Sequence, residues 1–174
     1  MKNNPYLKIA ICLVTIITIY LTGIPNAEAY TKKDVHNLIE RKKCVNCDLS
    51  GYHFNPQKLT LNKINLHGSD LSKSNFGKMS LSRTNLSKTN LSYANLEKVE
   101  SKQINFSNSD LTHADLKGGK FIKTNFTKAN LVKANLSYSV LNSCDFNHAN
   151  LSEANLINAT LNDVNLSHVN LSKA

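Results

Sequence analysis

The chain has 174 residues, the length of a single domain, and carries 21 Lys and Arg against 12 Asp and Glu, for a formal charge of +9. It has no Trp, only three Pro and six Gly, and is dominated by Asn, Leu, Ser and Lys. Composition alone would fit a disordered tract. The order of the residues excludes that reading, because the apolar positions recur at fixed spacing.

Residues 1–8 hold Lys2 and Lys8 and no acid, and 9–24 (IAICLVTIITIYLTGI) are apolar apart from threonines and one tyrosine. Pro25 breaks this run, and Ala27-Glu28-Ala29 forms an A-x-A exit before Tyr30. A basic start, an apolar centre and a small-residue exit describe a secretory signal peptide over 1–29, cleaved after Ala29. The alternative, an uncleaved anchor, is disfavoured because sixteen residues fall short of the roughly 20 that cross a bilayer. Ile11 before Cys12 is too large for lipoprotein processing. Cleavage removes two cations and one acid (Lys2, Lys8, Glu28), so the charge falls from +9 to about +8. The expected location is the periplasm or outside the cell, with no remaining transmembrane span.

A capping segment is expected over 30–47. Thr31 is placed to cap a helix running to Lys43, with Asp34 three residues on. Val35, Leu38 and Ile39 make one apolar face, and Lys42 and Lys43 suit its C-terminal end. Cys44-Val45-Asn46-Cys47 follows. In an oxidising compartment a Cys44–Cys47 disulfide is the plainest reading, and a pair of packed thiols comes next. A redox pair lacks the surrounding βαβ pattern. A zinc site would need two more ligands; His36 and His53 are near in sequence but lack a second paired motif.

From Leu61 to Leu171 every fifth residue is Leu or Phe, at 22 of 23 positions; Ser101 alone departs. Asn or Asp stands immediately before it at 17 of the 23, a small or β-branched residue two before, and often Lys or Arg two after. Five residues on an α-helix advance about 500°, which scatters the leucines around the surface. On a strand an odd spacing alternates faces. All the leucines are buried together only if the chain turns a corner in every repeat, where Asn and Asp tolerate turn conformations. An offset earlier register, Leu49, Phe54 and Leu59, points to an irregular first coil with Pro56 in its loop. Ser101 is expected to bulge, and Lys117-Gly118-Gly119-Lys120 to loosen the coil around Phe121.

The runs Ala94-Asn95-Leu96, Ala114-Asp115-Leu116, Ala129-Asn130-Leu131, Ala134-Asn135-Leu136 and Ala154-Asn155-Leu156 resemble the A-(D/N)-L-x-x signature of the pentapeptide-repeat family. The resemblance implies an all-β solenoid over 48–174, a right-handed quadrilateral β-helix of twenty-residue coils behind a short N-terminal capping α-helix.

Residues twenty apart should then stack. Lys63, Arg83, Gln103 and Lys123 form one column; Lys88 and Lys128, Lys73 and Lys133, and Lys78 and Lys98 fall in others. Like charges on adjacent strands repel. They suit either an anionic partner or, as the plainer reading, a solvated surface that resists edge aggregation. Aromatic residues for base stacking are few (Tyr93, Tyr138), so nucleic acid is disfavoured. His148 over His168 is read as surface, not a metal pair, and Cys144 as inert packing. The expected role is a non-catalytic exported scaffold or binding module for an unknown protein or anionic envelope component. No catalytic, cofactor or metal site is expected. An exported factor directed at a host or the cell envelope is the alternative. DNA mimicry, which quinolone-resistance members of the family perform with an acidic surface, and thiol-redox activity rank lower. The chain halts at Leu171-Ser172-Lys173-Ala174 without a covering helix, which makes a homodimer through that end a further expectation.

Overall fold

The computed structural model describes residues 30–174, so the expected signal peptide lies outside the described residues. One helix, α1 (Lys32–Arg41), precedes a solenoid whose coils stack in parallel. Twenty residues make a coil: Asn65 bridges Asn85, Asn85 bridges Asn105, and the same step recurs throughout. The fold is a right-handed quadrilateral β-helix.

Most corners are four-residue turns that begin at the central Leu or Phe. The amide of the fourth residue donates to the carbonyl of the first, as in Ala94 to Leu91, Ala114 to Leu111 and Ala134 to Leu131, each at 3.0 Å. The third residue has positive φ (Tyr93 59°, His113 59°, Lys133 57°), the signature of a type II turn. The Asn and Asp that precede the core residue therefore do not occupy the left-handed position. They sit three residues earlier and act through the side chain, whose Oδ1 accepts the amide two residues on: Asn85 from Ser87 at 3.1 Å, Asn95 from Glu97 at 2.8 Å. This is an Asx turn, which satisfies a donor that the corner would otherwise strand.

Three sides of the square use this device. The fourth does not. There the outward residues are Ser80, Glu100, Lys120, Val140 and Thr160, and from Glu100 onward this side forms true strands: β1 (Glu100–Lys102), β2 (Lys120–Ile122), β3 (Val140–Asn142) and β4 (Thr160–Asn162). They form one parallel sheet in the order β1-β2-β3-β4. Hydrogen bonds between strands replace the missing Asn side chains.

Ser101 lies at the centre of β1, buried, in register with Phe121. It neither bulges nor kinks. The corners after Leu61 and Leu81 close with amide-to-carbonyl bonds of 3.3 and 3.2 Å, whereas from Ser101 on the same side runs into extended strands, so Ser101 marks a change of corner. The volume a leucine would fill goes to Phe121, which packs edge-on to Phe106 and Phe126 at 6.4 and 5.9 Å. Gly119 is likewise a fit, not a weakness: a Cβ there would stand 2.5 Å from the Phe121 ring.

The core is a column of fully buried Leu and Phe, including the stacked rings of Phe106, Phe126 and Phe146. The residues two before them also point inward; Ala94, Ala114, Ala129 and Ala134 are buried. In the first coil Asp48 bridges Asp70 and His53 bridges Asn75, two residues more than twenty. The surplus is taken up in the turn at Asn55, where Lys58 and Leu59 both donate to the Asn55 carbonyl.

The helix ends at Arg41, earlier than expected, because Lys42 turns left-handed at φ 52°. Thr31 caps it, accepting the Asp34 amide at 3.2 Å. Leu38 is buried and Val35 packs against the core, but Ile39 is left exposed. Tyr30, Tyr52, Phe54 and Phe76 continue the seal through successive ring contacts of 4.5–4.9 Å. Among the described residues no helix is long and apolar enough to cross a membrane.

Candidate binding surface

Because the corner directs its third residue outward, that position is the solenoid's point of contact with its surroundings. All nine cations singled out from the sequence occupy it: Lys63, Lys73, Lys78, Arg83, Lys88, Lys98, Lys123, Lys128 and Lys133 are exposed, with φ between 51° and 62°. A left-handed conformation costs an L-residue with a Cβ about 1–2 kcal/mol, while Gly adopts it freely and Asn with less strain. Gly68, Gly118, Asn108 and Asn158 show that the chain uses these residues at some corners. At ten others, these nine and Lys173, it carries a long cation in a strained backbone.

The structure distributes these cations unequally once their partners are counted. Lys98 pairs with Glu97 at 2.9 Å, Lys120 with Glu100 at 2.9 Å and Lys133 with Glu153 at 3.8 Å. The hydrogen bond and charge of Lys98, with help from Lys117 and Lys78, hold the Glu97 carboxyl below the usual range. These pairs are exposed and contribute little to stability. They do, however, neutralise the sides on which they lie.

The side that presents Asn65, Asn85, Asn105 and Asn125 is different. Its two edges carry Lys63, Arg83 and Lys123 on one corner column and Lys88 and Lys128 on the other. Among the described residues none of these five is in an ion pair. Arg83 Nε instead donates to Gln103 Oε1 at 3.2 Å, directing the guanidinium along the column. Asp70 and Asp110, Asp115, and Glu100 interrupt the other three sides over the same coils. The acids reach this side only at Asp145 and Asp163.

Cys44 and Cys47 are joined in a disulfide. It closes a four-residue loop in the connector and does not itself tie helix to coil. Hydrogen bonds do that: Asp34 accepts the Asp48 amide at 2.9 Å, and Ser69 Oγ donates to the Cys44 carbonyl and accepts the Cys47 amide, both at 3.1 Å. Both cysteines are buried. Asp34, Cys44 and Cys47 bring one ligand atom each within 4.8 Å of one another. His36 and His53, the partners considered from the sequence, are not in this cluster, and Asp34 was missed because only the packing of α1 against the first coil brings it near.

Cys144 is a buried free thiol, pushed up to about 11 by burial, which removes its nucleophilic form at neutral pH. His148 and His168 stack at 4.6 Å, and Tyr93 stacks on His113 at 4.7 Å. These are surface ladders between coils.

A profile of the family described as pentapeptide repeats matches residues 61–100, 104–142 and 139–174, in eight copies. The gap falls on 101–103, where the corner changes. Among solved structures, the pentapeptide repeat protein Rfr23 of the cyanobacterium Cyanothece 51142 superposes with a TM-score of 0.56 at 21% identity, over 80% of this chain and 97% of that one. A trypsin-treated variant of QnrB1, a plasmid-mediated fluoroquinolone resistance protein, gives 0.53 at 19%, over 74% and 79%. At these identities the likeness is one of fold. No curated protein matches the sequence.

Proposed function

The chain belongs to the pentapeptide-repeat family, and from that premise we propose that it is an exported, non-catalytic binding module that engages an anionic partner through its basic surface. The observation that carries this reading is the exposed cation placed at the strained corner position, coil after coil, over the N-terminal two-thirds of the solenoid. A rigid frame with one outward side chain per corner is a scaffold for display; its interior is filled by Leu and Phe. Basic charge is the reverse of what a DNA mimic needs, so the resistance role in the name of QnrB1 is not carried over. The buried disulfide suits a fixed clip better than an exchanging redox pair.

Retention of the purified protein on an anionic matrix across a salt series tests the reading. Elution should move strongly with ionic strength, as expected when several cations release counterions. Elution at low salt would leave the cations as solubility devices. Export is tested separately: the protein recovered outside the cytoplasm should begin at Tyr30.

The far end favours a second association. Leu161, Leu166 and Leu171 are 39%, 39% and 41% exposed although they occupy core positions of the repeat, and Ile157, at an outward turn position, is 64% exposed. We propose that two copies meet end to end through this last coil, covering its apolar face. Sedimentation of the protein across a concentration series should show a dimer that Leu166→Glu disperses; a monomer at every concentration would oppose it.

A further inference from the structure

We propose that the Asn65–Asn125 side is a track for a linear polyanion, an anionic glycan or polyol chain bearing phosphodiester or sulfate groups, laid parallel to the solenoid axis. This deepens the proposed anionic partner and rests on it.

Three features of that side converge. The first is charge without compensation: Lys63, Arg83 and Lys123 on one edge and Lys88 and Lys128 on the other have no carboxylate between them from the coil of Leu61 to the coil of Phe126. Lysines occur on every side, but only here among the described residues does acid not interrupt them. The second is hydrogen-bond polarity. Each asparagine of the central ladder has its Oδ1 engaged by its own corner, accepting from His67, Ser87, Ser107 and Thr127 amides at 2.8–3.1 Å. Asn85 directs an Nδ2 hydrogen to Asn65, but Asn105 and Asn125 keep amide donors for the outside. The side therefore offers cations and donors, which match the acceptor oxygens of phosphate or sulfate.

The third feature is spacing. Adjacent coils lie about 4.8 Å apart, so Lys63 and Arg83 are one step apart, and Lys88 and Lys128 two steps, or about 9.6 Å. The track runs roughly 14 Å along the axis, from Lys63 to Lys123, before Asp145 and Asp163 close it. A compact anion would touch one or two of these groups, whereas an extended chain reaches all five. Tyr93 and Tyr138 stand on other corners, so no Tyr, Phe or Trp ring lies on this side to stack a base, and the half-buried His67 imidazole is held by Ser87 Oγ at 2.8 Å. That separates an anionic glycan or polyol chain from single-stranded nucleic acid, whose binding leans on stacking.

The test uses K88N/K128N, because asparagine relaxes the left-handed corner and should not unfold the protein. K42N/K173N, at left-handed positions just past the helix and in the last coil, removes the same charge away from the nine corner cations. Binding of heparin, of long-chain polyphosphate and of an unstructured oligothymidylate of matched charge is measured against salt. With five contacts to a flexible chain, log K should fall with log salt at a slope of about −3.5, dropping to about −2 in K88N/K128N with roughly tenfold weaker binding. K42N/K173N should bind like the parent. Heparin binding above polyphosphate would indicate sulfated glycan, and the reverse a phosphodiester chain. Oligothymidylate binding as tightly as either would overturn the class of partner. Equal losses in both variants would overturn the track while leaving a diffuse anionic interaction; absence of salt-dependent binding in the parent would overturn both.

Discussion

The two ends of the solenoid are built from the same kind of repeat and meet different fates. At the N-terminal end Leu49, Leu61 and Leu66 are buried beneath α1 and the Tyr30–Tyr52–Phe54 seal. At the C-terminal end Leu161, Leu166 and Leu171, in the same motif context, are more than a third exposed. The motif places a leucine inward, but the next coil is what buries it. In a stacked repeat each unit draws stability from its neighbours, so sequence identity between repeats does not mean equal energy.

The largest test of that contrast sets Phe126→Ala against Leu166→Ala. Loss of the stacked Phe126 ring should cost about 3–5 kcal/mol, and loss of the half-covered Leu166 less than about 1.5. Urea midpoints measured on dilute protein decide between them, and equal losses would break the comparison. Within the core, Gly119→Ala forces a methyl against the Phe121 ring and should cost about 1–3 kcal/mol by overpacking; an unchanged midpoint would mean that the ring moves freely. At the capped end, Cys44→Ser with Cys47→Ser should cost about 2 kcal/mol, the small value expected for so short a closed loop. Thr31→Ala should cost about 1 kcal/mol through loss of the helix cap, read from the same midpoints. Cys144 gives a graded probe of the middle. With its folded value near 11 against 9.0, the neutral thiol is favoured in the fold, and this contribution is present below pH 9 and lost as pH rises toward 11. Its alkylation at pH 8 should be roughly a hundredfold slower, or more, than that of a peptide thiol, and rapid labelling would show that the coil opens.

Much of this was legible in the sequence. The five-residue period fixed which residues face inward, and the two-residue offset of Leu49 and Phe54 announced the insertion at Asn55. The coil length was also legible, though it was taken from the family resemblance: the six positions without Asn or Asp before the core residue (60, 80, 100, 120, 140 and 160) are twenty apart and mark the strand side. What was misjudged depended on neighbours. Ser101 and Gly119 look like faults in a repeat read one line at a time, and become intelligible when Phe121 is seen lying across both. Ile39 follows the helical period but lies outside the area that the first coil covers. The candidate surface was hidden for a related reason. Lysines recur on every side, and it is the acids twenty residues away that decide which side keeps its charge.

Amide hydrogen exchange along the chain, followed from dilute to concentrated protein, tests the central claim most directly. The amides of Asn85, Asn105 and Asn125, which donate to the preceding coil at 2.9–3.1 Å, should exchange slowly at every concentration. The apolar last coil, from Leu161 onward, should exchange rapidly when dilute and gain protection only as copies meet. Fast exchange through the middle coils, or slow exchange out to Ala174 in dilute protein, would contradict an account in which burial comes from the adjacent coil.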